Sequence, residues 1–532
     1  MSNKTKIYLP LIIAFAIAFG IFVGSNLNYP QRKMTFFTGN PQEKKIKRLI
    51  NYIKYDYVDE VDTDSLLDVT ISDMLGKLDP HSVYIPPKEH DRITETMNGK
   101  FVGIGIQIRM IKDSLTVLGV IKDGPSEKAG IKAGDRILMA DEDTLYGKKL
   151  KSDYIISHLK GEPETEVRLK VYRKSEKKEL PFVIKRGSIP IESLDAHYML
   201  NDDLGYIKIN KFAATTYDEF VKALKDLKKQ GMKELVLDLR QNPGGFLDIA
   251  TKIIDEFLED GKLIVFTKNK RGKIHDTFAT KKGDFEKKQV YVLIDGGSAS
   301  ASEIVAGALQ DNDIGTIVGR RSFGKGLVQQ EMDLGDGSAI RLTVSRYYTP
   351  TGRSIQKPYD HSGSEAYFNE YEHRFTDGEL ISADSIKVND SLKYTTAKGK
   401  IVYGGGGIIP DVFVPIDTLN FINRLHFQPI NDFVFEYIDN HRKEFDGMTF
   451  EEFDKNFDKD DSFYNKYWNY LIKKHPNLKR SKESKEDLKL YLKAVFALQL
   501  YGDNRYFQII NRDDKMIKKV LELEKEKKSI PQ

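Results

Sequence analysis

A chain of 532 residues, 40% of them hydrophobic and 11% aromatic, holds enough apolar material for several packed cores, which excludes a disordered protein and makes a single ordinary domain too small a reading. Its 83 basic and 79 acidic residues leave a formal charge of +4, so the composition carries no nucleic-acid footprint. With no cysteine, disulfides, thiolate metal sites and cysteine nucleophiles are excluded.

After Lys4 and Lys6, residues 7–31 are free of charge, with the densest apolar part ending at Val23. Basic-then-apolar order at the start of a chain is what export machinery reads, so the segment is expected to be an export signal or a single membrane anchor. Ala14, Ala16 and Ala18 lie inside the apolar run rather than after it, which favours an uncleaved anchor occupying residues 1–36. Everything after Arg32 then faces the extracytoplasmic side.

Residues 37–98 read first as helices, because KKIKRLINYIKYDYV and DSLLDVTISDMLGKL space apolar residues three and four apart. The three prolines of LDPHSVYIPP, residues 78–87, break that period. From Phe101 the period becomes two, and FVGIGIQIR places Val102, Ile104, Ile106 and Ile108 on one face of a strand. Residues 99–186 then alternate short strands (LTVLGVI, GDRILMADED, EVRLKVYRK, LPFVIKR) with short helices (PSEKAGI, KSDYIISHL), a β-rich module.

Residues 187–418 alternate strand and helix: LGYIKIN, YDEFVKALKDLKKQG, KELVLDLR, IATKIIDEFLED, KLIVFTK with a polar hairpin, QVYVLID, a helix at about 300–310, and IGTIVGR. Strands that are apolar throughout predict a sheet covered on both faces. The polar stretch 360–400 has no clear period and reads as a surface insertion, after which VYGGGGIIPDVFVP returns to strand. Residues 419–532, with Trp468, form a charged helical extension, read as solvated helices without chemistry.

GRRSFGKG, residues 319–326, has the glycine and lysine spacing of a phosphate-cradling loop. That loop needs Ser or Thr after the lysine and a helix beyond it. Here Gly326 and the strand-like LVQQEMDL follow, so nucleotide binding is rejected. Upstream, QVYVLID ends at Asp295, Gly296 and Gly297 make a sharp turn, and a helix begins among Ser298, Ser300 and Ser302. Such a turn exposes a hydroxyl beside helix N–H groups that suit an oxyanion. Ser300 and Glu303 also spell a capping box, a structural use of the same atoms.

A serine attacks a carbonyl only if a base takes its proton, and none of the ten histidines lies between His275 and His361, although a distant one can fold in. Lys325 serves if burial lowers its pKa from about 10.4 toward roughly 7 to 8. Two glycines, Phe323 and Leu327 flank it without an adjacent acid. In a strand, Lys325 and Gln329 share a face, so the neutral Gln329 amide can orient the amine.

LDPHSVYIPP, FVGIGI, GPSEKAGIKAGD, DLRQNPGG, GGSASASEIVAGALQDN, FGKGLVQ, YYTPTGRSIQ and GGGIIPD, in this order, resemble the carboxy-terminal processing peptidases, or tail-specific proteases, of serine-lysine type. The resemblance covers about residues 78–414. It implies an α/β fold, a peptidase core with a covered β-sheet and a β-rich PDZ domain of the bacterial type, to which the periodicity adds a helical N-terminal segment and a helical C-terminal extension. It makes Ser300 the nucleophile, Lys325 the general base and Gln329 its positioning residue, with Ser298 and Ser302 in support. One of Gly244 and Gly245, with the N–H of Ala301, is expected to form the oxyanion hole.

In the PDZ domain, Phe101, Val102, Gly103, Ile104, Gly105 and Ile106 are expected to capture a substrate's terminal carboxylate while the tail adds a strand to the sheet. No metal or organic cofactor is implied. The partners are protein substrates with a free C-terminus and the membrane, with no nucleic acid, and a homo-oligomer is admitted. The location is the bacterial envelope, anchored in the inner membrane with the catalytic part periplasmic. The family motifs do not carry the insertion or the extension, which stand as candidates for controlling access or binding a partner. The competing reading is an anchored, non-catalytic scaffold that only binds tails.

Overall fold

The computed structural model describes residues 41–111, 113–147, 150–359, 364–416, 424–480 and 485–529. The apolar run 7–31 lies outside them, and among the described residues no helix is long and apolar enough to cross a membrane. The chain divides into two compact units, Met1–Ile71 and Ser72–Gln532. In the first, the three-and-four spacing gives the helix Pro41–Asp56 and most of the helix Thr63–Gly76, as expected.

The second unit holds everything else. Its β-rich module is an antiparallel sheet in the order Ile106–Ile111, Ser114–Val120, Arg136–Ala140, Glu166–Arg173, Lys178–Lys185, with Asp143–Thr144 beside the third strand. Alternate residues Val167, Leu169 and Val171 point into a core shared with Ile155 and Leu159 of the helix Ser152–Leu159. FVGIGIQIR is not one strand. Lys100–Gly103 pairs with Gly187–Pro190, and the chain turns at Gly105, whose φ of +74° is open to glycine, before Ile106 enters the sheet at its edge.

The larger domain is built on a six-stranded sheet ordered Leu194–Met199, Leu204–Ile209, Glu234–Asp238, Val290–Ile294, Gly315–Gly319 and Val412–Phe413, parallel after the first pair. Period two divides each apolar strand between two cores. Leu235, Leu237, Val290 and Val292 face the helices Thr216–Lys229, Leu247–Asp255 and Ala301–Asp311. Val236, Tyr291, Leu293 and Val318 face the other way, onto Met516, Ile517 and Val520 of the helix Lys515–Ser529. A second sheet crosses beside it, with Val83–Ile85, Ala339–Tyr348, Leu263–Asn269 and Ile274–Phe278 in order and Leu327–Asp333 also paired to Ala339–Tyr348.

Two regions depart from the sequence reading. The extension is not a set of solvated helices: Phe433, Phe453, Tyr467, Trp468, Leu492 and Phe496 build an aromatic core of its own. It also braces the β-rich module, with Asp439 paired to Arg136 at 2.8 Å and to Lys174 at 3.2 Å, and Asp432 paired to Arg109 at 2.9 Å. The insertion is more than a surface loop, since its helix Ser364–Thr376 supplies Arg374, which donates to the carbonyls of Arg321, Ser322 and Phe323. The bracing of the module and the docking of Arg374 were hidden because their partners lie far away along the chain.

Ile517 is 1% exposed against the sheet. Ile517→Ala is expected to cost about 2–5 kcal/mol, read as a lower midpoint in urea with an unchanged slope. A midpoint equal to that of the unaltered protein would show that the terminal helix does not stabilise the sheet.

Candidate active site

In α/β sheets the reactive groups lie beyond the carboxyl ends of the parallel strands. The strand Val290–Ile294 runs into Asp295, whose carboxylate accepts the N–H groups of Gln241 and Gly297, each at 3.0 Å. The two flanking serines are committed. Ser298 donates to the Leu239 carbonyl at 2.8 Å, Ser302 to the Asn242 carbonyl at 2.9 Å, and both are fully buried. They rivet the serine turn to the QNPGG turn. Ser300 differs: it is partly exposed, its oxygen faces the Glu303 N–H in a capping box while its hydroxyl donates to no described residue, and its backbone is held at φ 55°, ψ −113°. A side chain in that region costs about 1–3 kcal/mol, which the surrounding bonds must hold in place.

Glu303 does much of the holding. Its Oε2 accepts the N–H of Ser300 at 2.9 Å and the N–H of Lys325 at 2.8 Å, while Oε1 accepts the Ser322 hydroxyl at 2.5 Å and the Gly324 N–H at 2.7 Å. Four donors leave no acceptor position for a proton, so the group sits there as a carboxylate. Burial pushes its pKa up and the four bonds pull against that, with burial the larger. The Tyr347 hydroxyl, also buried, donates to the carbonyls of both Ser300 at 3.2 Å and Lys325 at 2.5 Å. The serine and lysine segments are thus joined through shared atoms on both sides of the peptide.

Burial lowers the Lys325 pKa to about 8, with Arg341 adding to the fall and Glu303 and Asp79 opposing it. Its Nζ makes no hydrogen bond or ion pair among the described residues. No acid adjoins Lys325 in sequence, yet the fold brings Glu303 and Asp79 close enough to act on it. The shared strand face is corrected: Leu327–Asp333 starts after Lys325, and a register shift falls between Val328 and Gln329. Gly324 and Gly326 keep the lysine in a loop, where a Cβ on Gly326 would lie 2.9 Å from the Gln356 nitrogen. Gln329 is opposite Thr343, and its Nε2 is buried without a partner among the described residues. The side chains of Ser300, Lys325 and Gln329 are not hydrogen bonded to one another in this conformation.

The two glycines of QNPGG separate by what their N–H groups do. Gly244 donates to Asn242 Oδ1 at 2.9 Å, and its missing side chain lets the turn approach Ser300, since a Cβ there would stand 2.8 Å from Ser300 Cβ. The N–H groups of Gly245 and Ala301 make no hydrogen bond among the described residues. In the β-rich module, the carbonyls of Ile104 and Gly105 accept from Ser126 and Ile121, each at 3.0 Å. Phe101 lies under the Lys160 ammonium at 4.6 Å, and Gly103 is buried after Val102. Ile106 then opens the strand at the edge of the sheet, where Arg109 meets Asp432 of the extension.

Residues 203–361 match the model of peptidase family S41, residues 102–182 match a PDZ domain, and residues 423–502 match a family of unknown function. A carboxy-terminal-processing protease of Bartonella bacilliformis is 37% identical over 354 residues, 65% of this chain and 80% of that protein. The chain belongs to peptidase family S41, the carboxy-terminal processing proteases. The carboxy-terminal processing protease CtpB of Bacillus subtilis is 34% identical over 353 residues, 64% of this chain and 72% of the relative. A solved photosystem II D1 C-terminal processing protease is 26% identical with a TM-score of 0.35, covering 70% of this chain and 86% of its own. The S41 chain is therefore a serine peptidase, and a non-catalytic scaffold is no longer an alternative.

Several residues of this S41 peptidase escaped the sequence reading. Glu303 was visible only as the far end of a capping box, and nothing local told that its second oxygen would reach Ser322 and Gly324. Asp79 and His81 lie in LDPHS, more than two hundred residues from the lysine they neighbour. Glu303→Gln replaces one acceptor oxygen by an NH₂ that faces N–H donors. It is expected to lower kcat/KM about a hundredfold in steady-state cleavage, with the fold retained by circular dichroism. A variant as active as the parent would detach this carboxylate from catalysis.

Proposed function

We propose that this peptidase cuts proteins recognised by their C-terminal tail, with Ser300 as nucleophile and Lys325 as general base. The observation that carries the reading is that Ser300 and Lys325 hang from one carboxylate oxygen, one with a hydroxyl that donates to no described residue and the other with a half-buried amine that no described residue pairs. The neutral amine accepts the serine proton as Oγ attacks the scissile carbonyl. The Gly245 and Ala301 N–H groups, both unspent, suit the oxyanion. The amine then gives its proton to the leaving nitrogen, and water, deprotonated in the same way, releases the acyl group. Gln329, with its amide unsatisfied, closes on Lys325 when substrate orders the site. The tail enters beside Ile106–Ile111 as an added strand, its carboxylate at residues 101–106.

The charge-free run 7–31 supports an inner-membrane anchor with the catalytic part in the periplasm. Spheroplast proteolysis of a tagged chain tests this, and a tag protected from external protease would count against it.

Ser300→Ala and Lys325→Ala are each expected to lose at least about a thousandfold in kcat/KM on an unfolded, tailed protein while still binding its tail. Amidating the substrate's last carboxyl is expected to slow cleavage by the unaltered enzyme. Because only the uncharged amine works, kcat/KM should rise with pH through about 8 and flatten above it. A midpoint near that of free lysine, or an active Lys325→Ala enzyme, would overturn the assignment of the base.

A further inference from the structure

The turn that carries LDPHS has no part in the reaction so far, yet it is the most heavily anchored loop near the lysine. The Asp79 carboxylate accepts the N–H groups of His81 and Ser82, each at 2.9 Å, the Ser82 hydroxyl at 2.6 Å, and the Thr343 hydroxyl at 3.1 Å. Thr343 is the register partner of Gln329, and Val83–Ile85 pairs with the strand Ala339–Tyr348 that holds Thr343. The turn is therefore fixed to the hairpin that follows Lys325.

This delivers His81 into an aromatic cluster. Its ring meets Phe323, Tyr367 and Phe368 edge-on, with centroids 6.2, 5.1 and 5.8 Å away. His81 Nε2 lies 2.9 Å from the Tyr367 hydroxyl, and that hydroxyl accepts from Gln356 Nε2 at 3.1 Å. Tyr367 thus keeps its own proton free to give to His81 Nε2 in the neutral tautomer with hydrogen on Nδ1. Gln356 Oε1 in turn accepts the Gly326 N–H at 2.9 Å, so the chain of bonds reaches the residue next to Lys325. Phe323 lies two residues before the lysine. Tyr367 and Phe368 come from the insertion helix.

We propose that His81 is a positioning residue: uncharged and locked in the aromatic cluster, it walls the Lys325 amine from water and so holds it in its proton-accepting form. This rests on Lys325 being the general base. The charged groups acting on the amine are Arg341 from the adjoining strand, Glu303 from the serine helix and Asp79 from the turn, while the amine in turn acts on His81. One cation and two acids leave desolvation as the leading effect, which makes the wall matter. His81 itself is pushed down to about 4, by burial first and then by Lys325, while Asp79 opposes and Lys357 adds to the fall. The ring adds no second positive charge at working pH.

The test is the pH profile of kcat/KM for the full chain, which reports the free enzyme's base, on a fluorogenic peptide. His81→Ala lets water in, and its acid limb is expected to move up by about one unit or more, with activity at pH 7 down about tenfold and the alkaline plateau largely kept. His81→Phe keeps the wall and is expected to leave the limb in place. If the alanine variant does not fold, His81→Asn takes its role. A limb unmoved in the small variants, or moved equally by phenylalanine, overturns the inference. A parental limb absent near pH 8 would instead sink the reading of Lys325.

Discussion

The carboxylate of Glu303 is the point on which the site hangs. It lies in the first turn of a helix that leaves one parallel strand, and the loop it captures follows the next strand, so the two halves of the reaction come from successive crossovers. Burying an ionised carboxyl is costly unless donors surround it, and here the four donors are the very groups that must be placed. Satisfying the charge and assembling the site are one event. Ser322 extends this, because its hydroxyl also accepts the Ile408 N–H at 2.6 Å and so ties the GGGIIPD segment to the same carboxylate.

The same carboxylate creates a tension. A negative charge near an amine favours the ammonium form, the opposite of what proton abstraction needs, and Asp79 pulls the same way. The structure answers with dryness first and the Arg341 charge second: Glu303 spends its lone pairs on three backbone N–H groups and the Ser322 hydroxyl instead of on the ammonium, and aromatic rings crowd the approach. The unusual backbone of Ser300 belongs to the same economy of placement. It aims the hydroxyl outward while its peptide groups stay bound to Glu303 and Tyr347.

Much of the fold was legible because period two and period 3.6 are local. Val236 and Leu237, adjacent in a run of apolar residues, do face two different cores, as a sheet covered on both sides requires. Ser300 was separable from Ser298 and Ser302 only by family pattern, whereas the structure separates them by which hydroxyls are already bound. What the sequence could not show depends on distant pairing. Lys325 and Gln329 do not share a strand, since glycines on both sides of the lysine keep it in a loop. The insertion lacked a period because its helix is organised by contacts with residues 321–323 and 357 rather than by a stripe of its own.

The helix Lys515–Ser529 closes the sheet that begins at Leu194, and it comes after every other described element in the chain. One face of the catalytic sheet therefore stays bare throughout synthesis until those residues emerge. Arg240, beside the QNPGG turn, waits equally long for its partner Asp514, 2.6 Å away in the finished protein. Undocking that one helix would therefore uncover the sheet and loosen the QNPGG turn together, so that a local opening far from Ser300 is felt at the reaction centre.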